Sequence, residues 1–271
     1  MTRIGIDIGG SSVKGVQLDG AGCREAQSTP YTRPDRAGIT DAVRAVLAEL
    51  RAGSHGATPA GLCLPGRVSA DQSSVELSVN LPVLAGWNFV DMFTAFGLPA
   101  DTLVCSDTVA AGADFVRSEQ LGGRAACIAI GTGVGLAVFD DGEPVGIGRR
   151  GIGHLGMVEV RPGQPLEAAV GAGGLRERFG DAVQEGIGSM DERDPVLGAL
   201  VAAIRMVHAI YVPRHVALLG GVGMALVQQR GPLDRQIRTG LSPIADPDWE
   251  LHFGSTVFHA ARGAARLSQD D

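Results

Sequence analysis

The sequence predicts an α/β fold with two lobes of similar topology. Short apolar strands alternate with amphipathic helices along the 271-residue chain, a pattern typical of sheets covered by helices. A unit of strand, glycine-rich bend and returning strand occurs near the N-terminus and again about 120 residues later, which indicates an internal duplication. Because 45% of the residues are hydrophobic but only 4% are aromatic, we expect a core of Val, Leu, Ile and Ala.

The first lobe is predicted to open with a hairpin. Residues 3–8 form an apolar strand that leads into the bend 9–12, and residues 13–18 return as a second strand. A helix is expected from Ile39, with Thr40 and Asp41 in its first turn. Two buried strands then end at polar residues, and an Ala-rich helix follows the second one; the strands are 61–64 and 103–105, and the helix is 108–116.

The second lobe repeats the hairpin. Its strand 125–130, glycine turn 131–135 and strand 136–139 are followed by a long helix that starts at Asp194 and Pro195. The strand 216–219 runs into a third glycine bend, 220–223, and a last helix, 256–267, is expected to pack on the first lobe. The predicted domains are a small N-terminal lobe, 1–110, completed by a C-terminal helix in 255–271, and a large C-terminal lobe, 111–254.

Composition excludes several classes of function. Lys and Arg total 23 against 30 Asp and Glu, so the formal net charge is −7, and nucleic acid is not expected as a partner. The four cysteines form no C-x-x-C pair, which argues against a zinc knuckle or a disulfide framework and indicates a reducing compartment. There is no leader pattern and no apolar run of about 18 residues, so we expect a cytoplasmic protein without a membrane span.

The three glycine bends are candidate phosphate sites. Without a Cβ, backbone N–H groups at a strand end can converge on phosphate oxygens. Asp7, just before the first bend, is a candidate Mg²⁺ ligand, directly or through water. Any one bend alone is better explained as an ordinary hairpin turn. None has the spacing of a P-loop or of a Rossmann fingerprint.

Together the bends resemble a known superfamily. Residues 7–15, Asp-Ile-Gly-Gly-Ser-Ser-Val-Lys-Gly, are similar to the first phosphate motif of the sugar kinase/hsp70/actin superfamily, 130–135 to the second, and 218–223 to its adenosine motif. Within it the chain most resembles the ROK family of bacterial sugar kinases, in the order and spacing of 64–68, 80–82 with 86–87, 106–111 and 207–223. The resemblance implies a two-lobed actin-like ATPase-domain (ribonuclease H-like) fold with a nucleotide cleft between the lobes.

The resemblance also implies an activity and roles for residues. The expected reaction is phosphoryl transfer from ATP, with Mg²⁺, to a hydroxyl of a sugar-like substrate, by a homodimer. Asp107 corresponds to the catalytic base, with Ser106 where the family has Asn. Lys14 is expected to be a solvated strand residue. The nucleotide, phosphate and Mg²⁺ residues would be Asp7, Gly9, Gly10, Ser11, Gly131, Thr132, Gly133, Gly220 and Gly221, and the substrate residues Gly66, Arg67, Asn80, Ser106, His154 and Glu167.

The chain departs from the family at its zinc and sugar segment. Aligned on glycines, His154 replaces the family's sugar-binding Glu, and Met157 replaces its His, which contacts both the sugar and the zinc. No cysteine follows before the retained Glu167, so zinc is not expected. A one-residue slip would instead place His154 on the family's Gly-His, at the expense of the glycine spacing. If His154 and Met157 line the pocket, the substrate is a modified or less hydroxylated sugar, or a cyclitol; otherwise His154 is a surface residue and Met157 a core residue.

Two rival functions remain. One is a catalytically silent sugar-binding or regulatory ROK protein; intact Asp7 and Asp107 argue against it, and a repressor is not expected because the chain begins directly at the first phosphate motif. The other is a polyphosphate-dependent glucokinase, suggested by the Ser-x-x-Lys-Gly form of the first motif and the missing cysteines. An acidic chain without an evident basic groove favours ATP as the donor.

Overall fold

The computed structural model describes residues 2–20, 22–51, 58–146 and 152–268. The strands are β1 (Arg3–Ile8), β2 (Val13–Asp19), β3 (Gly22–Gln27), β4 (Ala60–Leu64), β5 (Arg67–Val68), β6 (Val75–Leu77), β7 (Leu103–Ser106), β8 (Arg124–Ile130), β9 (Val134–Asp140), β10 (Glu143–Pro144), β11 (Glu159–Arg161), β12 (Gln164–Pro165), β13 (His215–Leu219) and β14 (Glu250–Phe253). The helices are α1 (Arg36–Leu50), α2 (Phe89–Phe96), α3 (Asp107–Ser118), α4 (Leu166–Val170), α5 (Ala172–Phe179), α6 (Val183–Gly188), α7 (Pro195–Tyr211), α8 (Gly220–Ala225), α9 (Arg230–Thr239) and α10 (His259–Leu267).

Two five-stranded sheets share one topology. Their strand orders are β3-β2-β1-β4-β7 and β10-β9-β8-β13-β14. In each sheet the first three strands form an antiparallel meander, and the last two run parallel to the first strand. The α/β class and the duplication predicted from the two hairpins are therefore confirmed.

The described residues form two compact units. The first takes in those up to Asp114 and those from Phe258 onward, and the second takes in those from Phe115 to Val257. The domain boundaries derived from the sequence, at residues 110 and 255, stay predictions.

The sheet of the first unit is covered on both faces. Helix α1 buries the apolar stripe predicted for it and contacts β2. On the other face, α10 lies directly on the backbone of β1 and β4 at Gly5 and Gly61, which are register partners. A Cβ at Gly5 would stand 1.9 Å from the Ala261 carbonyl oxygen, and one at Gly61 would stand 2.0 Å from that of Ala264. The two glycines thus allow a helix backbone to touch the sheet.

The core of the second unit is formed around α7. Its buried stripe includes Leu197, Leu200 and Ile204, as the spacing predicts, and the helix packs on α4 and α9. At its start the Asp194 side chain accepts a hydrogen bond from the Val196 N–H at 2.9 Å. None of the helices in the described ranges has both the length and the apolar character that crossing a bilayer requires.

Four predicted boundaries were wrong. The last helix starts at His259 rather than at residue 256. Helix α1 starts at Arg36 because the Asp35 carboxylate caps it, accepting from Gly38 N–H at 2.7 Å. The second bend is three residues long rather than five, since β9 already begins at Val134. The segment 220–223 is not a bend but the first part of α8.

Candidate active site

A row of polar side chains crosses the sheet of the first unit. The parallel strands β1, β4 and β7 place Asp7 beside Cys63, and Cys63 beside Cys105, as register partners. Asp107 follows two residues after Cys105, as the first residue of α3. The carboxyl ends of parallel strands are the edge of an α/β sheet where ligands bind.

Asp7 is a buried carboxylate with a cationic neighbour. Its side chain accepts a hydrogen bond from the Cys63 thiol at 3.7 Å, and the Lys14 ammonium lies 3.7 Å away. Burial raises the pKa of Asp7, and the Lys14 charge opposes that shift. The prediction that Lys14 is solvated was wrong, because the antiparallel register pairs it with Asp7 and leaves its side chain only 18% exposed.

Asp107 is a half-buried carboxyl with a perturbed pKa. One of its oxygens accepts hydrogen bonds from the Thr108 backbone N–H at 2.7 Å and from the Thr108 hydroxyl at 3.2 Å. Burial first, and then the charge of Asp7, raise the pKa of Asp107 to about 6, while hydrogen bonds from Thr108 and Ser106 oppose the shift. A carboxylate with a pKa near neutrality is suited to accepting a proton from a substrate hydroxyl.

The first glycine bend is held from outside the hairpin. Gly9 N–H donates to the Ser12 carbonyl at 3.0 Å, and Tyr31 donates its hydroxyl to the Gly9 carbonyl at 2.6 Å and its N–H to Ser11. Burial and the charge of Asp7 raise the pKa of the Tyr31 hydroxyl, so it stays a donor. Sequence reasoning missed Tyr31 and Cys63, because only strand register and the path of the chain after β3 bring them to Asp7 and the bend.

The second bend is anchored by Glu167. Its carboxylate accepts the Val134 N–H at 2.9 Å, where β9 begins, and so ties the start of α4 to the bend. Gly131 closes on Gly133 through an N–H bond of 2.9 Å, and Thr132 is exposed. A Cβ at Gly131 would meet nothing within 4 Å among the residues described outside its immediate neighbours, so the backbone there faces open space.

Glycine occurs at positions 220 and 221 for different structural reasons. Gly220 has φ +78°, and a Cβ there would stand 2.5 Å from the Ile130 carbonyl of β8, so this position requires glycine. Gly221 is exposed, with open space where a Cβ would stand. With Gly131, it offers backbone that a phosphate or a nucleoside can approach, and the buried Asp7 carboxylate is an oxygen ligand that suits Mg²⁺.

The remaining candidate residues differ in their exposure and in whether another side chain already binds them. Arg67, exposed on β5, makes a two-pronged ion pair with Glu76 at 2.9 and 3.1 Å, while Gly66 adopts φ +141° beside it. Asn80 is half-buried between β6 and a short 3₁₀ turn. His154 and Met157 both are exposed, so Met157 is not a core residue.

The candidates therefore form a set in each unit. In the first unit, Asp7, the bend at Gly9, Gly10 and Ser11, and the Ser106–Asp107 pair gather at one sheet edge through the contacts given above. In the second unit, Glu167 binds the backbone beside the bend 131–133, and Gly220 lies against the end of β8.

The chain matches a protein-family model. The family model described as ROK family matches residues 3–174. A comparison with curated protein sequences finds no significant match.

Solved structures share the fold over the whole chain. A ROK family glucokinase from Streptomyces griseus, in complex with glucose and AMPPNP, matches with a TM-score of 0.79 and 18% identity, covering 100% of both chains. An inorganic polyphosphate/ATP-glucomannokinase from Arthrobacter sp. strain KM matches with a TM-score of 0.73 and 23% identity, covering 98% of both. A ROK family transcriptional regulator, a homolog of the E. coli MLC protein, matches with a TM-score of 0.73 and 20% identity over 98% of this chain and 77% of its own. These similarities confirm the expected actin-like ATPase fold.

Proposed function

Because the chain belongs to the ROK family, we propose that it is a carbohydrate kinase that uses ATP and Mg²⁺ to phosphorylate a hydroxyl of a sugar-like substrate. The observation that carries the proposal is the Asp107 carboxyl, which burial and Asp7 bring to a pKa of about 6 at a strand end beside a glycine bend. A cytoplasmic location and a homodimer, which the resemblance implies, belong to the same proposal.

Asp107 is the general base in this reaction. Its carboxylate takes the proton of the substrate hydroxyl as that oxygen bonds to the γ-phosphorus and the bond to the β-phosphate oxygen breaks. Asp7 would hold Mg²⁺ at the phosphates, and the backbone at Gly9, Gly10 and Ser11 would donate N–H groups to the phosphates. Bound MgATP supplies the phosphoryl group and charge compensation.

Further residues are assigned to the nucleotide and the substrate. In the second unit, Gly131, Thr132, Gly133, Gly220 and Gly221 would contact the nucleotide. Gly66, Arg67, Asn80, Ser106, His154 and Glu167 would contact the substrate. Because Arg67 is paired with Glu76 and Glu167 with a backbone N–H, both are proposed to orient the site as well as to bind.

The test is a coupled kinase assay over a panel of hexoses, N-acylated hexosamines and cyclitols. Asp107→Asn should keep nucleotide binding and lower kcat about 10²- to 10⁴-fold, the usual range for a general base. Asp101→Asn is the matched control, an exposed carboxylate just before β7, and should leave kcat unchanged. Wild-type turnover by Asp107→Asn would show that another group takes the proton.

The substrate is proposed to differ from glucose. With His154 and Met157 in place of a carboxylate and an imidazole, glucose should lose roughly 30- to 5,000-fold in kcat/KM relative to the preferred substrate. Replacing both residues, His154→Glu with Met157→His, should shift activity towards glucose or an N-acylated hexosamine. Efficient glucose phosphorylation by the wild type would show that these two positions do not read the sugar.

Inorganic polyphosphate is a second candidate donor. Lys14 favours it, because its ammonium lies 3.6 Å from where a Cβ on Gly9 would stand, beside the proposed phosphate bend. The glucomannokinase from Arthrobacter, which by its name uses both donors, shares the fold. If polyphosphate is used, Lys14→Met should reduce turnover with polyphosphate more than with ATP. Equal losses of turnover with the two donors would show that Lys14 acts through its ion pair with Asp7 and does not bind the donor.

A regulatory ROK protein is the alternative class, since one such regulator shares the fold. That function predicts saturable sugar binding, seen by calorimetry, with no product from any donor and sugar. The pair Asp7 and Asp107 favours the kinase, because carboxyl groups with raised pKa values at a strand end are typical of catalytic sites.

A further inference from the structure

Two histidines and a glutamate meet on one face of the second sheet. His215 and Glu250 are register partners in the parallel strands β13 and β14, and His252 lies two residues beyond Glu250. Because partners in a parallel ladder and residues two apart share a face, all three side chains project to the same side. They lie where the two strands begin, at the opposite end of β13 from Gly220.

The three candidate donor atoms have the separations of a metal site. Nδ1 of His215 is 3.1 Å from Nε2 of His252, and Oε2 of Glu250 is 3.9 Å from the first nitrogen and 3.5 Å from the second. Zinc–ligand bonds of about 2.0–2.1 Å at tetrahedral angles put neighbouring ligand atoms about 3.3 Å apart. The observed distances lie on both sides of that value, so small side-chain adjustments would bring all three atoms within bonding distance of one ion.

The surroundings hold the imidazoles in place and leave one side open. The side chains of His215 and His252 are 10% and 19% exposed, and the Phe115 ring packs edge-on against His252. The Glu250 side chain is 60% exposed, which leaves solvent access for a fourth ligand.

We propose that His215, Glu250 and His252 bind one divalent transition-metal ion of the zinc class, with water in the fourth position. Two imidazole nitrogens and one carboxylate oxygen are a ligand set that zinc takes in proteins. The site differs from the zinc segment of the family, which this chain lacks, and it modifies the expectation that the protein holds no zinc. The ion would tie the edge strand β14 to β13. The proposal does not rest on the kinase assignment.

The competing interpretation is a metal-free cluster. One imidazole could donate N–H to the other across 3.1 Å, with Glu250 accepting from whichever ring is protonated. Such a cluster would have no particular affinity for zinc.

Zinc titration of the full-length, chelator-treated protein distinguishes the two. Calorimetry should give one ion per chain, and zinc should raise Tm by several degrees. Loss of a residue that only supports a ligand typically weakens a site 10- to 100-fold, so His252→Gln and Glu250→Gln should each weaken binding at least about 100-fold. Glu250→Gln changes an exposed side chain and keeps the test valid should His252→Gln fail to fold.

The control is His154→Gln, which removes an exposed histidine outside the cluster and should leave zinc binding unchanged. No saturable binding by the wild type, or binding that survives both His252→Gln and Glu250→Gln, would overturn the proposal. Loss of binding in His154→Gln alone would overturn it too, and would place the metal at the segment that the slipped alignment matches to the family's Gly-His.

Discussion

At the scale of single residues, the pKa of Asp107 sets the expected pH dependence. A base with a pKa near 6 is protonated below that pH, so kcat/KM should fall as the pH decreases through about 6. The Thr108 hydroxyl bond stabilises the charged form; Thr108→Val removes it and should raise the pKa, moving the acid limb to higher pH. A pH profile of kcat/KM measures the shift. Thr94→Val is the matched control, because Thr94 is an exposed helical residue whose hydroxyl bonds to its own helix. An equal shift of the pH profile in both variants would show that the Thr108 hydroxyl bond does not set the pKa of Asp107.

His208 gives a prediction for stability in acid. It is fully buried edge-on to Trp249, and burial, with the charge of Arg238, lowers its pKa to about 4 from 6.5. Between these values the unfolded chain binds the proton and the folded protein does not, so stability is lost as the pH falls from about 6.5 to 4. At 1.36 kcal/mol per pKa unit, the loss is on the order of 3 kcal/mol.

Urea unfolding at pH 7 and pH 4.5 tests this sign. His208→Leu should weaken the pH dependence of the free energy of unfolding. His252, whose pKa is also lowered, contributes to that dependence in both proteins. The comparison with wild type isolates His208. If the free energy of unfolding of His208→Leu fell as much between pH 7 and pH 4.5 as that of the wild type, His208 would be protonated in the folded protein at pH 4.5.

The spacing of motifs locates some site residues but not their partners. Asp7 lies near the end of the apolar strand β1 and Asp107 directly follows β7, and both could be predicted as site residues from those positions. Lys14 could not, because it reaches Asp7 only through the antiparallel register of β1 and β2. Glu167 was predicted to contact substrate, and its bond to the Val134 N–H depends on where β9 starts.

At the scale of elements, contact between α10 and the sheet depends on glycine. Gly61→Ala would drive a Cβ into the Ala264 backbone, and such overpacking typically costs about 1–3 kcal/mol, with more expected against backbone that cannot turn aside. Gly122→Ala is the matched control, since a Cβ there meets nothing within 4 Å among the described residues. Urea unfolding measures both. Equal stability of the two variants would mean that α10 can move away from the sheet without loss.

Elements with long periodic patterns were predicted well. Helices α1 and α7 bury the stripes that their spacing predicts. Segment 220–223 was mistaken for a bend because three of its four residues are glycine, which is weak in helices. Tertiary packing decides this case, since the close approach of β8 at Gly220 excludes a side chain. The edge strand β3, five of whose six residues are exposed or half-exposed, has no apolar run to reveal it.

At the scale of the whole molecule, the two units differ in continuity. The described residues of the second unit all lie between Phe115 and Val257, whereas those of the first come from both ends of the described chain, with α10 covering Gly5 and Gly61. A fragment of residues 115–257 should therefore unfold cooperatively in urea, and a fragment of residues 1–114 should not. A mixture of residues 1–114 with a peptide carrying 255–271 is the control for the missing helix. Cooperative unfolding of 1–114 alone would contradict a need for α10.

The same discontinuity reverses the expected order of events on the ribosome. The strands of the first sheet emerge first, but α10 is made only after about 150 further residues, which take roughly 8–30 s at 5–20 residues per second. During that time the glycine surface of β1 and β4 has no helix to cover it. The second unit, although synthesised later, can complete its fold before the first. A newly made chain therefore carries an incompletely covered N-terminal sheet for most of its synthesis. Its risk of misfolding during that time depends on translation speed and on chaperones.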